Sequence, residues 1–224
     1  GGTFAATMIS FSIGNIFNML KIFVRKILGN ELSEYEFVIK EIVDLAKGYR
    51  DNPNYLVEKV KSIKTPFLAE AIQMLNDGGI DSKELDSILL KRATTHYARY
   101  EEEAEMFKTM AKFPPAFGLL GAVLGIIGMM QNLGSSEAMK TVGPSLAVAL
   151  IATLYGIAIA NFVFIPIGEN LTRFNKQDNL TRLMILDGIK MIRSKKHPIV
   201  VEENIKSYLL PSERLKIKKV SSNA

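Results

Sequence analysis

Two long runs of uncharged, mostly apolar residues interrupt an otherwise highly charged sequence. They cover Phe113–Leu133 and Thr141–Gly168, and a short polar loop, 134–140, separates them. Each run is long enough to cross a hydrocarbon layer about 30 Å thick as one helix. The pattern therefore predicts a hairpin of two transmembrane helices, at 113–133 and 141–168.

A third apolar stretch opens the chain. Residues 1–20 are mostly apolar or small, and Lys21, Arg25 and Lys26 follow directly. A basic cluster at the end of a membrane helix favours the cytoplasmic side, so we expect 1–25 to be a transmembrane helix that ends there. The start at Gly1 lacks the basic residue of a signal peptide. We therefore expect a fragment that begins inside a membrane helix.

The remaining segments, 26–112 and 169–224, carry nearly all the charge and show apolar positions at helical spacing. Turn residues at Pro53 and at Gly78-Gly79 divide the first segment into several helices. Because Lys and Arg favour the cytoplasmic side, we expect a cytoplasmic helical domain at 26–112, a periplasmic loop at 134–140 and a cytoplasmic tail at 169–224. The predicted fold is an all-α integral membrane protein.

Composition narrows the function classes. The 224 residues have a net charge of +5 and are 48% hydrophobic, with no cysteine and two histidines. This excludes a disulfide framework and a cysteine metal site, and neither histidine has a partner at metal-site spacing. Motifs for phosphate loops, dinucleotides or nucleophile elbows are also missing. We therefore expect no enzyme activity, no cofactor and no bound metal, and no nucleic-acid partner.

Polar or helix-perturbing residues lie within the predicted spans. They are Pro114, Pro115, Thr153, Tyr155, Asn161 and Pro166. Polar groups at membrane depth are costly and usually face another helix or a pathway. Thr153 can return its hydroxyl to its own backbone or offer the oxygen to a passing cation. Pro115 can start a helix or act as a hinge, and Pro166 frees the carbonyl of Phe162.

Glycines recur in the first span at intervals of three and four, at Gly118, Gly121, Gly125 and Gly128. Gly121 and Gly125 lie on one helix face, where a second helix can approach closely. We therefore expect Gly118, Gly121 and Gly125 to pack against another helix.

Neither span contains a carboxylate. A proton relay requires a titratable group at membrane depth. Two possibilities follow: the chain does not conduct, or a partner supplies the carboxylate.

Charged residues in the polar segments also have two interpretations. Arg50 and Glu58 flank the turn at Pro53, where they are either solvated or dock a charged partner. The acidic run Glu101–Glu103 is most simply a solvated helix face. The basic tail is suited to anionic lipid headgroups.

In its combination of segments the chain resembles the MotA/TolQ/ExbB proton-channel family, and most of all MotA- or PomA-type flagellar stator subunits. The matching segments are Pro115–Gly118 with Gly121 and Gly125, Gly143-Pro144, Ala147–Leu150, Thr153–Gly156, Phe164–Ile167, Gly1–Thr3 and Tyr208-Leu209 with Pro211. The resemblance identifies residues 1–25 with the family's second membrane helix.

This resemblance implies a ring of subunits, a pentamer, in the bacterial inner membrane. The ring surrounds two copies of a MotB-type partner, which has a single membrane helix with an ionisable Asp and a peptidoglycan-binding domain. Ion flow turns the ring, and cytoplasmic charges push the rotor protein FliG. By the same resemblance Pro115 and Pro166 couple ion passage to movement, Thr153 faces the channel beside Tyr155, and Arg50 and Glu58 face the rotor.

The chain departs from the family pattern at several positions. Pro53 replaces a usual Gly, Ala158 replaces a larger residue, and Lys59 and Lys61 make the turn more basic. Ala122 stands where sodium-driven relatives carry Thr, and since a methyl group offers no oxygen to a sodium ion, we expect proton coupling.

Two alternatives to the stator function stay open. One is an ExbB/TolQ-like energiser of an outer-membrane or gliding machine, and the other is a non-conducting membrane scaffold. The long insert 26–112, with Tyr155 and Pro166, favours the stator.

Overall fold

The structure is a computed structural model that describes residues 31–131 and 138–217. Regular secondary structure in these residues is entirely helical. The helices are α1 Glu31–Asp51, α2 Tyr55–Lys59, α3 Pro66–Asp77, α4 Ser82–Met110, α5 Phe113–Gln131, α6 Ala138–Ile159, α7 Ile165–Arg193, α8 Pro198–Lys206 and α9 Pro211–Arg214. A 3₁₀ turn covers Val60–Ser62 and a π-helical turn covers Ala160–Phe164. The predicted helix at 1–25 lies outside the described residues.

The described residues form two compact units. The hairpin unit comprises Arg99–Asn175, and the charged unit comprises the segments before and after it, 31–98 and 176–217. Helices α4 and α7 contribute residues to both units.

The hairpin unit contains the two predicted spans. Two stretches are long and apolar enough to cross a membrane, within Ser82–Gln131 and Val142–Arg193, with mean hydropathies of 1.8 and 2.3. Only 17% of each apolar window is buried inside the chain. Leu119, Leu154 and Phe162 are 60%, 64% and 82% exposed, as lipid-facing side chains would be. A core helix of a soluble domain hides such residues, so the prediction of two long apolar helices, with exposed faces suited to lipid, is confirmed.

The second apolar run does not end where its helix ends. Gly168, its last residue, lies inside α7, which continues to Arg193. The helix passes Pro166 through the π-helical turn, in which the Ile165 N–H donates to the Ala160 carbonyl. Proline lacks an N–H and its ring clashes with the carbonyl four residues earlier. The wider turn places that ring without breaking the helix.

Apolar residues join α4 to α7 within the hairpin unit. They are Ala104, Met106, Phe107, Met110, Ile167 and Leu171. Lys108 adds a polar clamp, because its Nζ lies 2.9 Å from Glu105 and 3.5 Å from Glu169. The hydrogen bond to Glu105 raises the pKa of Lys108.

The charged unit has its own core, formed where α1 packs against the C-terminal part of α7 and against α8. A Cβ on Gly188 would lie 2.8 Å from Ile42 Cγ2, so α1 and α7 approach closely. Fully buried members of this core include Ile39, Ile42, Leu45, Leu68, Leu89, Met184, Ile185, Ile189, Val201 and Ile205. Each such side chain contributes about 1.5–3 kcal/mol on burial.

Candidate functional site

Helices α5 and α6 pack against each other in antiparallel orientation, with backbone meeting backbone at two glycines. A Cβ added to Gly156 would lie 2.4 Å from the Pro114 carbonyl oxygen and 3.2 Å from Pro115 Cα. A Cβ added to Gly118 would lie 2.8 Å from the Ala152 carbonyl oxygen. These distances leave no room for a side chain, so both residues set the spacing of the helix pair.

Thr153 lies between these two contacts. Its Oγ1 is 3.3 Å from the Gly118 carbonyl oxygen across the helix pair and 3.4 Å from the Ala149 carbonyl oxygen on its own helix. The side chain is half-buried. The hydroxyl can therefore donate to either carbonyl while its lone pairs accept a hydrogen bond from water or a hydrated proton.

The other predicted packing glycines differ in how closely α6 approaches them. A Cβ on Gly125 would lie 3.3 Å from Ala149 Cβ, whereas one on Gly121 would lie 3.9 Å from Ala152 Cβ, an ordinary contact. Gly121 therefore faces α6 without requiring a glycine. Sequence reasoning did not single out Gly156, whose signal is the small residue at helical spacing from Ala149 and Ala152 on α6.

The structure brings only some of the predicted pathway residues together. Pro115 meets Gly156 and lies one turn from Gly118, near Thr153. Tyr155 is 63% exposed and points away from the contact between α5 and α6. Pro166 follows the π-helical turn, more than three helical turns from Thr153 along the chain.

Amide side chains accompany the π-helical turn. Asn161 Nδ2 donates to the Ile157 carbonyl at 2.9 Å, and Asn170 Nδ2 donates to the Pro166 carbonyl at 2.8 Å. Both amides thus bond to backbone carbonyls one turn earlier, as short polar side chains commonly do in helices.

The turn between α1 and α2 is held by Tyr55. Its ring covers Gly48, where a Cβ would lie 2.2 Å from the ring, and its hydroxyl donates to Asp44 at 2.9 Å. Burial and the Asp44 carboxylate raise the pKa of Tyr55 to about 12. Arg50 and Glu58, on either side of the turn, are both exposed. The arrangement presents one charge of each sign on a fixed backbone.

Acidic and metal-binding side chains are the last groups to consider. In 31–131 and 138–217, no group of three or more His, Cys, Asp or Glu residues could hold a metal ion. Neither Phe113–Leu133 nor Thr141–Gly168 contains an Asp or a Glu, so a proton crossing along these two segments needs an acceptor from elsewhere.

Comparisons with known proteins agree with the architecture. Residues 59–184 match the family model described as the MotA/TolQ/ExbB proton channel family. The chain is 30% identical to Chemotaxis protein PomA of Vibrio alginolyticus over 96% of its own length and 82% of that protein. It is 30% identical to Motility protein A of Borreliella burgdorferi, covering 79% of this chain and 67% of that one.

Two solved structures are similar. The C. jejuni MotAB structure has a TM-score of 0.80 at 25% identity, over 94% of this chain and 80% of that one. The flagellar MotAB stator complex from Bacillus subtilis has a TM-score of 0.81 at 22% identity, over 97% and 84%.

Proposed function

The chain belongs to the MotA/TolQ/ExbB proton channel family, and we propose that it is a ring-forming stator subunit of a bacterial flagellar motor. The observation that carries this proposal is a close-packed pair of apolar helices whose two predicted spans, 113–133 and 141–168, contain no carboxylate, joined to a large charged helical unit. The hairpin suits ion passage that borrows its proton acceptor, and the charged unit suits force transfer to another protein. On this proposal the chain resides in the bacterial inner membrane and crosses it more than once.

The missing carboxylate defines the partner. A MotB-type subunit with one membrane helix would place its Asp against the hairpin, and its peptidoglycan-binding domain would anchor the complex to the cell wall. The two similar solved structures are MotAB complexes, which supports such a pairing here. Several copies of this chain, five by family resemblance, would surround the partner and use the exposed apolar faces of α5 and α6 as contacts with lipid and with one another.

Thr153, Pro115 and Pro166 have distinct roles in this proposal. Thr153 receives the hydrated proton near the partner's Asp, since its oxygen can accept a hydrogen bond while its own proton goes to a backbone carbonyl. Pro115 lies in the first turn of α5 against Gly156, so a shift of α5 there alters the contact with Thr153. Pro166 and the π-helical turn form the point where α6 can rotate against α7.

Proton coupling is supported by Ala122. This side chain is buried at 8% exposure, on the α5 face that carries Gly118 and Gly125. A desolvated sodium ion needs several oxygen ligands, and a methyl group offers none. The position therefore favours a proton over sodium.

The choice of ion can be tested in cells that have no other stator. We expect swimming to stop on addition of a protonophore and to persist when potassium replaces sodium outside. Swimming that follows external sodium and ignores the protonophore would contradict proton coupling.

Contact with the rotor protein FliG is proposed through Arg50 and Glu58. Arg50→Glu or Glu58→Lys should lower torque while the membrane level of the protein stays unchanged, because both side chains are exposed and support no core contact. Lys176→Glu, an exposed charge elsewhere on α7, is the matched control. Normal torque in both variants would exclude rotor contact at this turn.

A further inference from the structure

The C-terminal end of α7 has an unusual backbone. Lys195 has φ of 50°, the one positive value for a non-glycine residue in 31–131 and 138–217. Its N–H donates to the Ile192 carbonyl at 2.9 Å, and the Lys196 N–H donates to the Met191 carbonyl at 3.0 Å. This bonding closes the helix as a left-handed terminus, where glycine is the usual residue because a Cβ is crowded. A lysine here is therefore conformationally unfavourable.

A contact of the Lys195 side chain gives a reason for a lysine at this unfavourable position. Its Nζ lies 5.6 Å from the centre of the Tyr49 ring, near the end of α1. Ile42 meets Gly188 earlier on the same pair of helices. Because the two contacts are seven residues apart in both segments, α1 and the C-terminal part of α7 run in the same direction, and Lys195, two residues beyond α7, lies beside the last turn of α1. Lys195 is thus held beside the segment that carries Arg50.

The cations at this end have no ion-pair partner among residues 31–131 and 138–217. Lys195 and Lys196 are exposed, as is Arg50. None of these three side chains forms an ion pair with another described residue. In contrast, Arg193 on the same helix is fully engaged, with Nη2 3.1 Å from Asp86 and Nη1 3.1 Å from the Ser82 carbonyl. The end of α7 is therefore anchored by Arg193, and two exposed lysines follow it, Lys195 beside the Tyr49 ring and Lys196 next to it.

We propose that the turn Ser194–His197 is a second part of the rotor-contact surface, in which Lys195 and Lys196 bind a carboxylate-bearing segment of the rotor protein beside Arg50. This inference rests on the proposed stator function. It extends the contact from the α1–α2 turn to a separate segment more than 130 residues later in the sequence.

A protein partner fits this surface better than a membrane. Asp51 and Glu58 are exposed near the same end of α1, and anionic headgroups would repel them. A surface with both signs of charge is typical of specific protein contacts, in which charge complementarity sets partner and register.

Three substitutions at Lys195 separate strain from charge. Lys195→Gln keeps the backbone conformation and removes the charge, Lys195→Arg keeps the charge, and Lys195→Gly removes both the strain and the charge. We expect Lys195→Gly to have a higher thermal midpoint than the parent, because glycine is unstrained at this φ. We also expect Lys195→Gln and Lys195→Gly to occupy motors about two- to fivefold less, the usual range for one exposed charge pair, and Lys195→Arg to behave as the parent.

Motor occupancy can be counted with a fluorescent fusion of the full protein in cells containing its partner. Lys176→Gln, on an exposed part of α7, is the matched control and should leave occupancy unchanged. Parental occupancy for Lys195→Gln and Lys195→Gly would overturn the inference. If the parent itself never localises to motors, the stator proposal fails as well, so the two failures are distinguishable.

A unique thiol tests the nature of the partner. The chain has no cysteine, so Lys196→Cys introduces a single one at this turn. With copper phenanthroline added as the oxidant that accepts the two electrons, we expect it to form a disulfide with a cysteine placed in an acidic segment of the rotor protein, and the Lys176→Cys control to form none. Quenching of a fluorophore on Lys196→Cys by a lipid-soluble quencher, without any crosslink, would show a membrane contact instead and refute the proposal.

Discussion

Replacing Gly156 by alanine should separate α5 from α6 and weaken the contact at Thr153. The new Cβ would lie 2.4 Å from the Pro114 carbonyl oxygen, whereas ordinary contacts begin near 3.4 Å. The helices must therefore move apart locally by about 1 Å to restore an ordinary van der Waals separation. Since Thr153 Oγ1 is already 3.3 Å from the Gly118 carbonyl, this movement takes the hydrogen bond beyond a useful length.

The expected change in the free energy of unfolding follows from two opposing effects. Overpacking costs about 1–3 kcal/mol, and replacing glycine by alanine in a helix returns up to about 1 kcal/mol. Gly143 is the matched control, because it lies on the same helix with nothing within 4 Å of an added Cβ. We expect Gly156→Ala to be less stable than Gly143→Ala by about 1–3 kcal/mol.

The remaining glycines form a graded series. Gly118→Ala, at 2.8 Å from a backbone oxygen, should resemble Gly156→Ala, while Gly121→Ala, at 3.9 Å from a side chain, should be neutral or slightly stabilising. Thermal unfolding in detergent measures the stability, and swimming speed at equal membrane levels measures the function. If Gly156→Ala were as stable and as motile as Gly143→Ala, the close approach of α5 and α6 would be wrong.

Three further outcomes are expected, each read from the thermal midpoint of unfolding. Thr172→Val should raise the midpoint, because the Thr172 hydroxyl is buried without a hydrogen-bond partner among the described residues. Such a group costs about 1–3 kcal/mol of stability, and a lower midpoint would reveal a partner for the hydroxyl. Burial and the hydrogen bond to Asp187 raise the pKa of Tyr208 from 10.0 to about 12, so its contribution to stability is complete below pH 10 and is lost between pH 10 and 12. Tyr208→Phe should reduce that alkaline loss, and an unchanged pH profile would argue against the pair. Ile189→Ala, at a side chain with 0% exposure, should lower the free energy of unfolding by about 2–5 kcal/mol. Leu90→Ala, at 48% exposure, should change the stability little, and equal effects would contradict the assigned core.

Some of this architecture could be read directly from the sequence because single residues enforce it. Charge-free runs of more than 20 residues predicted the two spans, since few other structures tolerate them. Gly78 and Gly79, with φ of 67° and 81°, end α3 at the predicted position. The turn at Pro53 also follows from local backbone preference.

Other features depend on distant neighbours and could not be predicted. The apolar run ends at Gly168, where the sequence becomes polar. The backbone hydrogen bonds of α7 nevertheless continue past this residue to Arg193. The helical spacing of apolar positions in the predicted tail 169–224 does not show where its helices end; α7 ends at Arg193, and the short helices α8 and α9 follow.

The candidate site shows the same division. Sequence reasoning selected Pro115, Thr153, Tyr155 and Pro166 by polarity and backbone effect, which are properties of each residue alone. It could not tell that Pro115 and Thr153 share one helix contact while Tyr155 faces outward, because this depends on how α5 and α6 pair. Gly156 was missed for the same reason, since its importance comes from Pro114 on the other helix.

The most direct test of the central claim is a measurement of proton entry into cells whose cytoplasm contains a pH-sensitive fluorophore. The cells express this chain either alone or together with its proposed single-span partner. We predict no added acidification from the chain alone, acidification when the proposed partner is also present, and loss of it when the partner's membrane Asp becomes Asn. Proton flow through this chain alone, or undiminished flow with the Asn partner, would contradict the account.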